Sequence, residues 1–419
     1  MRNQIRCGDR DLQRLPAGTL LGAIHADAQV SMTRFMSSYL ILSTLVAIFS
    51  ESATYRFIID VKLFYLIVIF NVLLMLYLAA IQLNRRLALW IGYMSTVNIV
   101  AAFYYQDTER LSFWLPQIIG ILICAIYFSS FFALFKRALP LVWEFYLRAS
   151  CWLCLLGIPL YVLRAYSGDL RYHSVMTEPA QFAAILIPAF SYLYHRRTFE
   201  RSRFLIVLIS LLFAQSLIGY IGILLCIFLN TRKSASRILG SALLILTLAT
   251  LSYSANNEIA RRVNDTVKAF TTLSVTGTNL STFAFFTNMY VTIQSLREYP
   301  LFGVGLGGHV RSIEKHFWNV EGLEFFDYRN QEPLNERDAN SLALRLLSEQ
   351  GILGFSVFLL LLFWGRARLD ENDRAISNGI LAYFFLALLR GGHYFPPVMY
   401  FFFVLYLRMS LGNARTGGV

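Results

Sequence analysis

Residues 113–135 read FWLPQIIGILICAIYFSSFFALF and include no charged side chain. A helix needs about 20 apolar residues to cross the hydrocarbon core of a bilayer, so this segment predicts a transmembrane helix. The composition of the whole chain agrees, because 57% of its residues are hydrophobic and only 15% are charged. Soluble domains carry about 25% charged residues. The sequence therefore predicts an integral membrane protein.

Similar apolar segments recur along the 419 residues and predict an all-α fold with about twelve transmembrane helices. The clearest further segments are 63–83, 87–105, 141–163, 342–364 and 375–389, and the weaker ones are 35–50, 180–194, 238–251 and 396–409. One stretch, 204–229, has two interpretations. It is either a single long helix or a hairpin of two short helices broken at residues 215–220.

The distribution of Lys and Arg favours the hairpin, since cytoplasmic loops are enriched in these residues. The basic segments are 85–86, 136–137, 196–203, 232–237 and 366–368. All of them can be cytoplasmic only if the chain crosses and returns between residues 204 and 229. The same inside bias accounts for most of the net charge of +12, so a nucleic-acid partner is an unnecessary hypothesis.

This topology divides the chain into four parts. Residues 1–34 form a cytosolic tail, and residues 35–252 form transmembrane helices 1–9. Residues 253–341 form one large external loop with amphipathic helices, in which acidic residues outnumber basic ones. Residues 342–419 form helices 10–12 and a second cytosolic tail.

Two polar segments interrupt the apolar pattern. Residues 299–308 read YPLFGVGLGG, and residues 340–354 read NSLALRLLSEQGILG. The glycines match the spacing of a dinucleotide-binding turn, but that motif follows a strand, and an amphipathic helix is predicted here. Its apolar face carries Phe286, Met289, Tyr290, Ile293 and Leu296. Two alternatives remain: a tight turn, or a turn whose free amides, such as that of Gly305, face an anionic headgroup.

Charged residues at the outer ends of the predicted helices and in the external loop are the candidate site residues. Glu178 precedes Pro179 at a helix start, where it either suits the helix dipole or serves as a base. Arginine forks match phosphate oxygens, and Arg337 leads because it adjoins the point where the chain re-enters the membrane. The other candidate arginines are Arg164, Arg297, Arg311 and Arg390.

Neither a metal nor another cofactor is expected. The six histidines are scattered, and no carboxylate pair at an outer membrane edge offers a site for a divalent cation. The sequence also lacks a Walker loop. Cys151 and Cys154 have the spacing of a metal-binding or redox pair, but they lie in an apolar segment, where core packing is the better interpretation.

The two polar segments resemble motifs of the O-antigen polymerase and O-antigen ligase superfamily. The similarity rests on Pro-Leu-Phe-Gly-Val-Gly-x-Gly from residue 300 and on the pattern from Asn340 to Gly354. Residues 177–182 (TEPAQF) and 216–220 (SLIGY) also look like segments of its polysaccharide-polymerase branch. The resemblance covers roughly residues 178–394.

The resemblance implies a C-type glycosyltransferase membrane fold in a bacterial inner membrane, with the active site facing the periplasm. It implies a substrate glycan linked to polyprenyl pyrophosphate, and it allows a chain-length regulator protein as a partner. Catalysis in the family is metal-independent: arginines hold the pyrophosphate and a base activates the acceptor hydroxyl. Asn340 and Gly305 are then further substrate contacts.

Departures from the ligase pattern favour a polymerase. Ligases typically carry Ala-His-Asn with the histidine as base, whereas this chain has Asp338-Ala339-Asn340. The candidate bases are Asp338, Glu178 and His393, in that order. The alternatives are a ligase that transfers glycan to lipid A-core and a flippase or other transporter of lipid-linked oligosaccharides. A transporter is expected to show internal repeats, and none is evident between the halves of the sequence.

Overall fold

The computed structural model describes residues 35–50, 54–56, 60–105, 111–166, 172–231, 257–321, 333–365, 371–394 and 396–412, with a few positions between 240 and 254. Helices dominate these residues. They are α1 Phe35–Phe49, α2 Leu63–Tyr77, α3 Arg85–Tyr105, α4 Leu111–Leu134, α5 Leu139–Ala165, α6 Pro179–His195, α7 Arg201–Phe213, α8 Leu217–Asn230, α9 Asn257–Thr272, α10 Leu280–Glu298, α11 His309–His316, α12 Leu342–Trp364, α13 Glu371–Leu389 and α14 Pro397–Gly412.

The described residues also contain a small antiparallel hairpin and two single 3₁₀ turns. The strands are β1 Thr54–Arg56 and β2 Asp60–Lys62, paired so that Tyr55 faces Val61. The 3₁₀ turns are Lys136–Ala138 and Phe317–Asn319. The hairpin joins α1 to α2, so it lies at the end of the bundle that the charge pattern predicts to be external.

Within the described residues, three helices are long and apolar enough to cross a membrane: Trp114–Leu134, Lys136–Arg164 and Leu342–Trp364. Four shorter helices are also apolar: Phe35–Phe49, Leu63–Tyr77, Leu217–Asn230 and Pro397–Met409. This is the pattern of a helical membrane protein. The count of twelve stays a prediction, because the predicted ninth helix (238–251) and the tail 1–34 lie largely or wholly outside the described residues.

The stretch 204–229 is divided between two helices, as the hairpin interpretation requires. α7 ends at Phe213 and α8 begins at Leu217. Gln215 between them has a φ of 46°, a left-handed conformation that a continuing helix does not contain. The chain therefore reverses within three residues.

Helix α14 lies at the centre of the bundle, with every side chain from residue 397 to residue 407 buried. Because all faces of this helix are buried, it is surrounded by protein and does not contact lipid. Its aromatic rings pack on several neighbours: the Phe402 centroid lies 5.5 Å from that of Tyr146 and 4.9 Å from that of Tyr383. Small residues let α13 and α6 approach closely. A Cβ on Gly379 of α13 would lie 2.6 Å from the Ser191 Cβ of α6.

The predicted external loop has a small apolar core of its own. It is formed by Ala269, Val275, Phe283, Phe286, Val291, Ile313, Phe317 and Val320. The predicted apolar face of α10 is only partly right, because Phe286 is buried but Ile293 is 42% exposed. The buried face also carries Thr292, whose hydroxyl donates to the Leu344 carbonyl at 3.4 Å. α10 packs against α12, and at that contact its buried face carries small polar side chains where large apolar ones were predicted.

Candidate functional site

The glycine turn at residues 303–308 docks against a break in α12. Gly303, Gly305 and Gly307 have φ values of 66°, 90° and 75°. Gly351, inside α12, has a φ of 64° and interrupts the helix. These left-handed conformations are readily adopted only by glycine. The two polar segments singled out in the sequence are therefore the two sides of one contact.

Backbone hydrogen bonds join the turn to the broken helix. The amides of Val304 and Gly305 donate to the carbonyls of Ser348 and Glu349 at 2.9 and 2.8 Å, and the amide of Ile352 donates to the Pro300 carbonyl at 2.9 Å. The break frees helix carbonyls, and the turn satisfies them. Because its amide is already paired within the protein, Gly305 does not offer a free amide to a headgroup. The geometry favours the tight-turn interpretation.

Buried polar side chains lie behind the turn. His309, fully buried at the start of α11, contacts the Ser348 hydroxyl through Nδ1 and the Asn288 Oδ1 through Nε2, both at 2.9 Å. Since an amide oxygen only accepts, Nε2 carries the proton and Nδ1 accepts from Ser348. Desolvation and the nearby cation Arg345 lower the pKa of His309 to about 3.

A serine, a histidine and an asparagine in a row resemble a nucleophile with its base. All three side chains are buried, however, each with an exposure of 0%. Among the described residues that line the cavity discussed next, none of the three occurs. Their hydrogen bonds connect α10, α11 and α12 in the interior of the protein.

A cavity of about 160 Å³ opens where α6, α8, α12 and α13 end or begin. Its polar wall contains five of the residues that the sequence marked as candidates: Glu178, Asp338, Asn340, Arg390 and His393. These residues are up to 215 positions apart in the chain. Apolar side chains including Ile218 and Met399, together with Tyr383 and Gln181, complete the wall. A concave site with a few convergent polar groups is the usual form of a ligand site.

Asp338 and His393 form a carboxylate–imidazole pair in this cavity. His393 Nε2 lies 3.4 Å from Asp338 Oδ2, and the histidine side chain is 47% exposed. Desolvation by the surrounding protein and the cations Lys62 and Arg345 lower the pKa of His393 below its ordinary value, although Asp338 acts to raise it. The imidazole is therefore neutral at pH 7. With its Nε2 proton toward Asp338, its Nδ1 is left as the basic nitrogen.

Arg390 and Glu178 form an ion pair in the same cavity. Arg390 Nη2 lies 3.2 Å from Glu178 Oε2, and their side chains are 34% and 50% exposed. Exposed pairs of this kind contribute about 0–1 kcal/mol to stability. The guanidinium can therefore exchange this carboxylate for an anionic ligand at little cost.

Two loops hold these side chains in place. Ala339 and Asn340 have left-handed φ values of 55° and 58°, which turn the chain into α12. Asp338 Oδ1 accepts from the Asn340 amide at 3.0 Å, and the Asn340 carbonyl accepts from the Gly391 amide at 3.1 Å. A Cβ at Gly392 would collide with the Asp338 carbonyl, so only glycine permits this approach.

The other candidate residues lie elsewhere. Arg337 is 82% exposed beside Glu336, Arg297 bonds Gln294 on the surface of α10, and Arg311 is exposed on α11. Arg164 donates to the Ser174 carbonyl at 2.7 Å. In the described part of the chain, none of these four arginines lines the cavity. Arg337 led the arginines in the sequence, and the geometry favours Arg390 instead.

Arg345 and Glu349 are residues that the sequence reading missed. They are 3% and 0% exposed, and Arg345 Nε lies 3.2 Å from Glu349 Oε1. The signal was present: an arginine and a glutamate four positions apart in an apolar segment, where charges are costly and functional by default. The same spacing joins Glu144 and Arg148 in α5, where Arg148 Nε lies 2.7 Å from Glu144 Oε1.

No protein-family model matches the chain, and no curated protein matches it. Among the residues that the structure describes, no group of three or more His, Cys, Asp or Glu side chains could hold a metal ion.

Proposed function

We propose that the chain is a polymerase of lipid-linked polysaccharide repeat units, of the O-antigen type, in a bacterial inner membrane. It would transfer a growing glycan from polyprenyl pyrophosphate to the next lipid-linked repeat at the periplasmic face. The proposal rests on the motif resemblance and on one structural observation. Asp338, His393, Glu178 and Arg390, all at predicted external helix ends, converge on a single cavity.

The cavity supplies the two groups that such a transfer needs. The acceptor hydroxyl oxygen forms a bond to the anomeric carbon of the donor, and the bond from that carbon to the phosphate oxygen breaks. The leaving group departs as polyprenyl pyrophosphate with both bonding electrons, and the hydroxyl proton passes to a base. Arginine forks suit the negative charge that develops on the pyrophosphate.

His393 is the base in this proposal, and Asp338 orients it. A neutral imidazole with a free Nδ1 accepts a proton directly, and the resulting cation is stabilised by the carboxylate 3.4 Å away. This reverses the order expected from sequence, in which Asp338 came first. Arg390 holds the pyrophosphate, and Glu178 is its counter-ion before substrate binds.

The test is a product ladder. The full chain, purified in lipid nanodiscs, receives a lipid-linked repeat unit, and products are separated on a gel. A ladder of chain lengths supports the proposal, whereas transfer to added lipid A-core without extension identifies a ligase. Transport of the unit across a sealed vesicle without either product would identify a transporter.

A pair of variants assigns the base. His393→Ala should lower the rate on the order of 100-fold or more, the usual contribution of a positioned base. Arg197→Ala, an exposed residue at the C-terminal end of α6, away from the cavity, is the control and should keep the wild-type rate. An unchanged rate of extension in His393→Ala would show that His393 is not the base.

A further inference from the structure

The buried side chain of Arg345 contacts four different groups. Nη1 donates to the Gly392 carbonyl at 2.8 Å, Nη2 donates to Gln117 Oε1 at 2.6 Å, and Nε pairs with Glu349 at 3.2 Å. The guanidinium carbon lies 4.2 Å from the centroid of the Tyr394 ring. One side chain thus joins α12, α4 and the turn between α13 and α14.

Two of these contacts lie on either side of His393 in the sequence. Arg345 binds the carbonyl of the residue before it and stacks on the ring of the residue after it. His393 itself is 47% exposed, and its contact with Asp338 is long, at 3.4 Å. The direction of its imidazole therefore depends strongly on where the backbone of residues 392–394 is held.

The turn needs such a support. Gly391 has a φ of 122°, with no atom near its missing side chain. Glycine also leaves the backbone freer than any other residue does. Two consecutive glycines before His393 would let the histidine move, and the fork of Arg345 removes that freedom.

A buried ion pair is an expensive way to stabilise a fold. Taking two charges out of water costs several kcal/mol per ion, and well-packed apolar residues often do as well. Glu349 balances the charge of the arginine, with Arg345 Nε 3.2 Å from Glu349 Oε1. The Glu349 carbonyl accepts from the Gly305 amide, and Arg345 binds the Gly392 carbonyl, so the pair lies between the glycine turn and the wall of the cavity.

We propose that Arg345, charge-balanced by Glu349, is a positioning residue that holds the 391–394 turn and so aims His393 into the cavity. Its catalytic consequence rests on the proposed function, whereas the ordering of the turn does not. Among the described residues that line the cavity, Arg345 does not occur. It therefore acts on His393 through the turn.

The test compares two replacements of Arg345 in the full chain in nanodiscs. Arg345→Lys keeps the charge but loses the planar fork, so it cannot hold Gly392 and Gln117 together. Arg345→Gln loses both the fork and the charge. Arg203→Gln is the matched control, because it breaks ion pairs to Glu144 and Glu200 at the N-terminal end of α7, away from the cavity.

The first readout is amide hydrogen exchange of residues 391–394, which reports local opening. Both Arg345 variants should exchange roughly tenfold faster or more there, while Arg203→Gln matches the wild type. The second readout is kinetic. In Arg345→Lys, kcat should fall on the order of tenfold with KM little changed, as for a base that is misaimed while the substrate still binds.

The third readout is the pH profile, which a merely structural role would not move. The groups that face His393 are Asp338, Lys62 and Arg345, with Glu178 and Arg390 in the same cavity. Losing the cation at 345 raises the pKa of His393, so the acid limb of the rate should move to higher pH in Arg345→Gln. In Arg345→Lys the limb should stay in place.

Unchanged exchange at residues 391–394 in a folded Arg345→Lys protein would overturn the proposal, as would an unchanged kcat. Glu349→Gln provides a second route if the arginine variants do not fold, because it keeps the fork but leaves its charge unbalanced. The acid limb of the pH–rate profile of Glu349→Gln should move to lower pH. An unmoved limb would contradict the charge balance between Arg345 and Glu349. If the wild type makes no product, the proposed function fails, and the exchange comparison still decides whether Arg345 orders the turn.

Discussion

Gly303 and Gly351 lie back to back: a Cβ on Gly351 would stand 2.7 Å from the Gly303 nitrogen, and one on Gly303 would stand 2.5 Å from the Ser348 carbonyl oxygen. Both residues have left-handed φ values, 66° and 64°. Neither position can carry a side chain without moving the backbone of the other segment. The glycines of the turn therefore serve the packing of the external region on α12.

Replacing Gly351 by alanine should consequently destabilise the protein. Strain at a left-handed position and overlap with the turn each cost about 1–3 kcal/mol, so we expect a loss of about 2–6 kcal/mol. Thermal unfolding in a fixed detergent measures it. Gly92→Ala in α3 is the matched control, because a Cβ there meets no atom within 4 Å. Equal midpoints for the two variants would contradict the contact described.

The buried histidine His309 should make the protein less stable in acid. Its folded pKa of about 3 lies below the ordinary histidine pKa of 6.5. The unfolded chain therefore binds the extra proton between these values, so stability rises with pH through that window and is constant above it. Going from pH 7 to pH 5 should cost about 2 kcal/mol.

Unfolding at pH 5 and pH 7, for the wild type and for His309→Gln, measures this cost. Glutamine offers one donor and one acceptor in place of the neutral imidazole, but it does not titrate in this range. The variant should be less stable at pH 7 and less sensitive to acid. The same pH dependence in both proteins would mean that His309 is not the titrating group.

Sequence reasoning reached the cavity from local signals but could not rank its residues. Glu178, Arg390 and His393 were found because each stands at a predicted helix end. Their convergence depends on how α6, α12 and α13 pack, which no local pattern encodes. Arg337 ranked first because it adjoins the point where the chain re-enters the membrane, yet in the turn before α12 its side chain is exposed while that of Asp338 lines the cavity. The glycine turn was found for its composition, but its partner Gly351 needs the tertiary contact to be recognised.

Replacing Arg390 and replacing Arg337 should have different effects on the rate of glycan extension. Arg390 lines the cavity, and Arg337 is 82% exposed beside Glu336. Arg390→Ala should lower the rate of glycan extension on the order of 100-fold, because one donor to the developing pyrophosphate charge is lost. Arg337→Ala should keep most of the wild-type rate, measured on the same ladder gel. Loss of extension in Arg337→Ala with full activity in Arg390→Ala would restore the ranking from sequence.

The sidedness of the bundle is open to a chemical test. Asn335 at the cavity and Arg197 after α6 lie at opposite ends of α6 according to the charge pattern, and both are exposed. The four described cysteines, Cys124, Cys151, Cys154 and Cys226, are buried, so with Cys7 replaced by serine a new thiol dominates the labelling.

In intact cells whose outer barrier has been permeabilised, a membrane-impermeant maleimide should label Asn335→Cys within minutes. Arg197→Cys should react only after the inner membrane is broken. The expectation follows from the enrichment of Arg and Lys on the cytoplasmic side and from the opposite ends of α6 that the two positions flank. Labelling of both thiols from one side would rule out a membrane-crossing α6, and with it the predicted alternation that places the cavity on the external face.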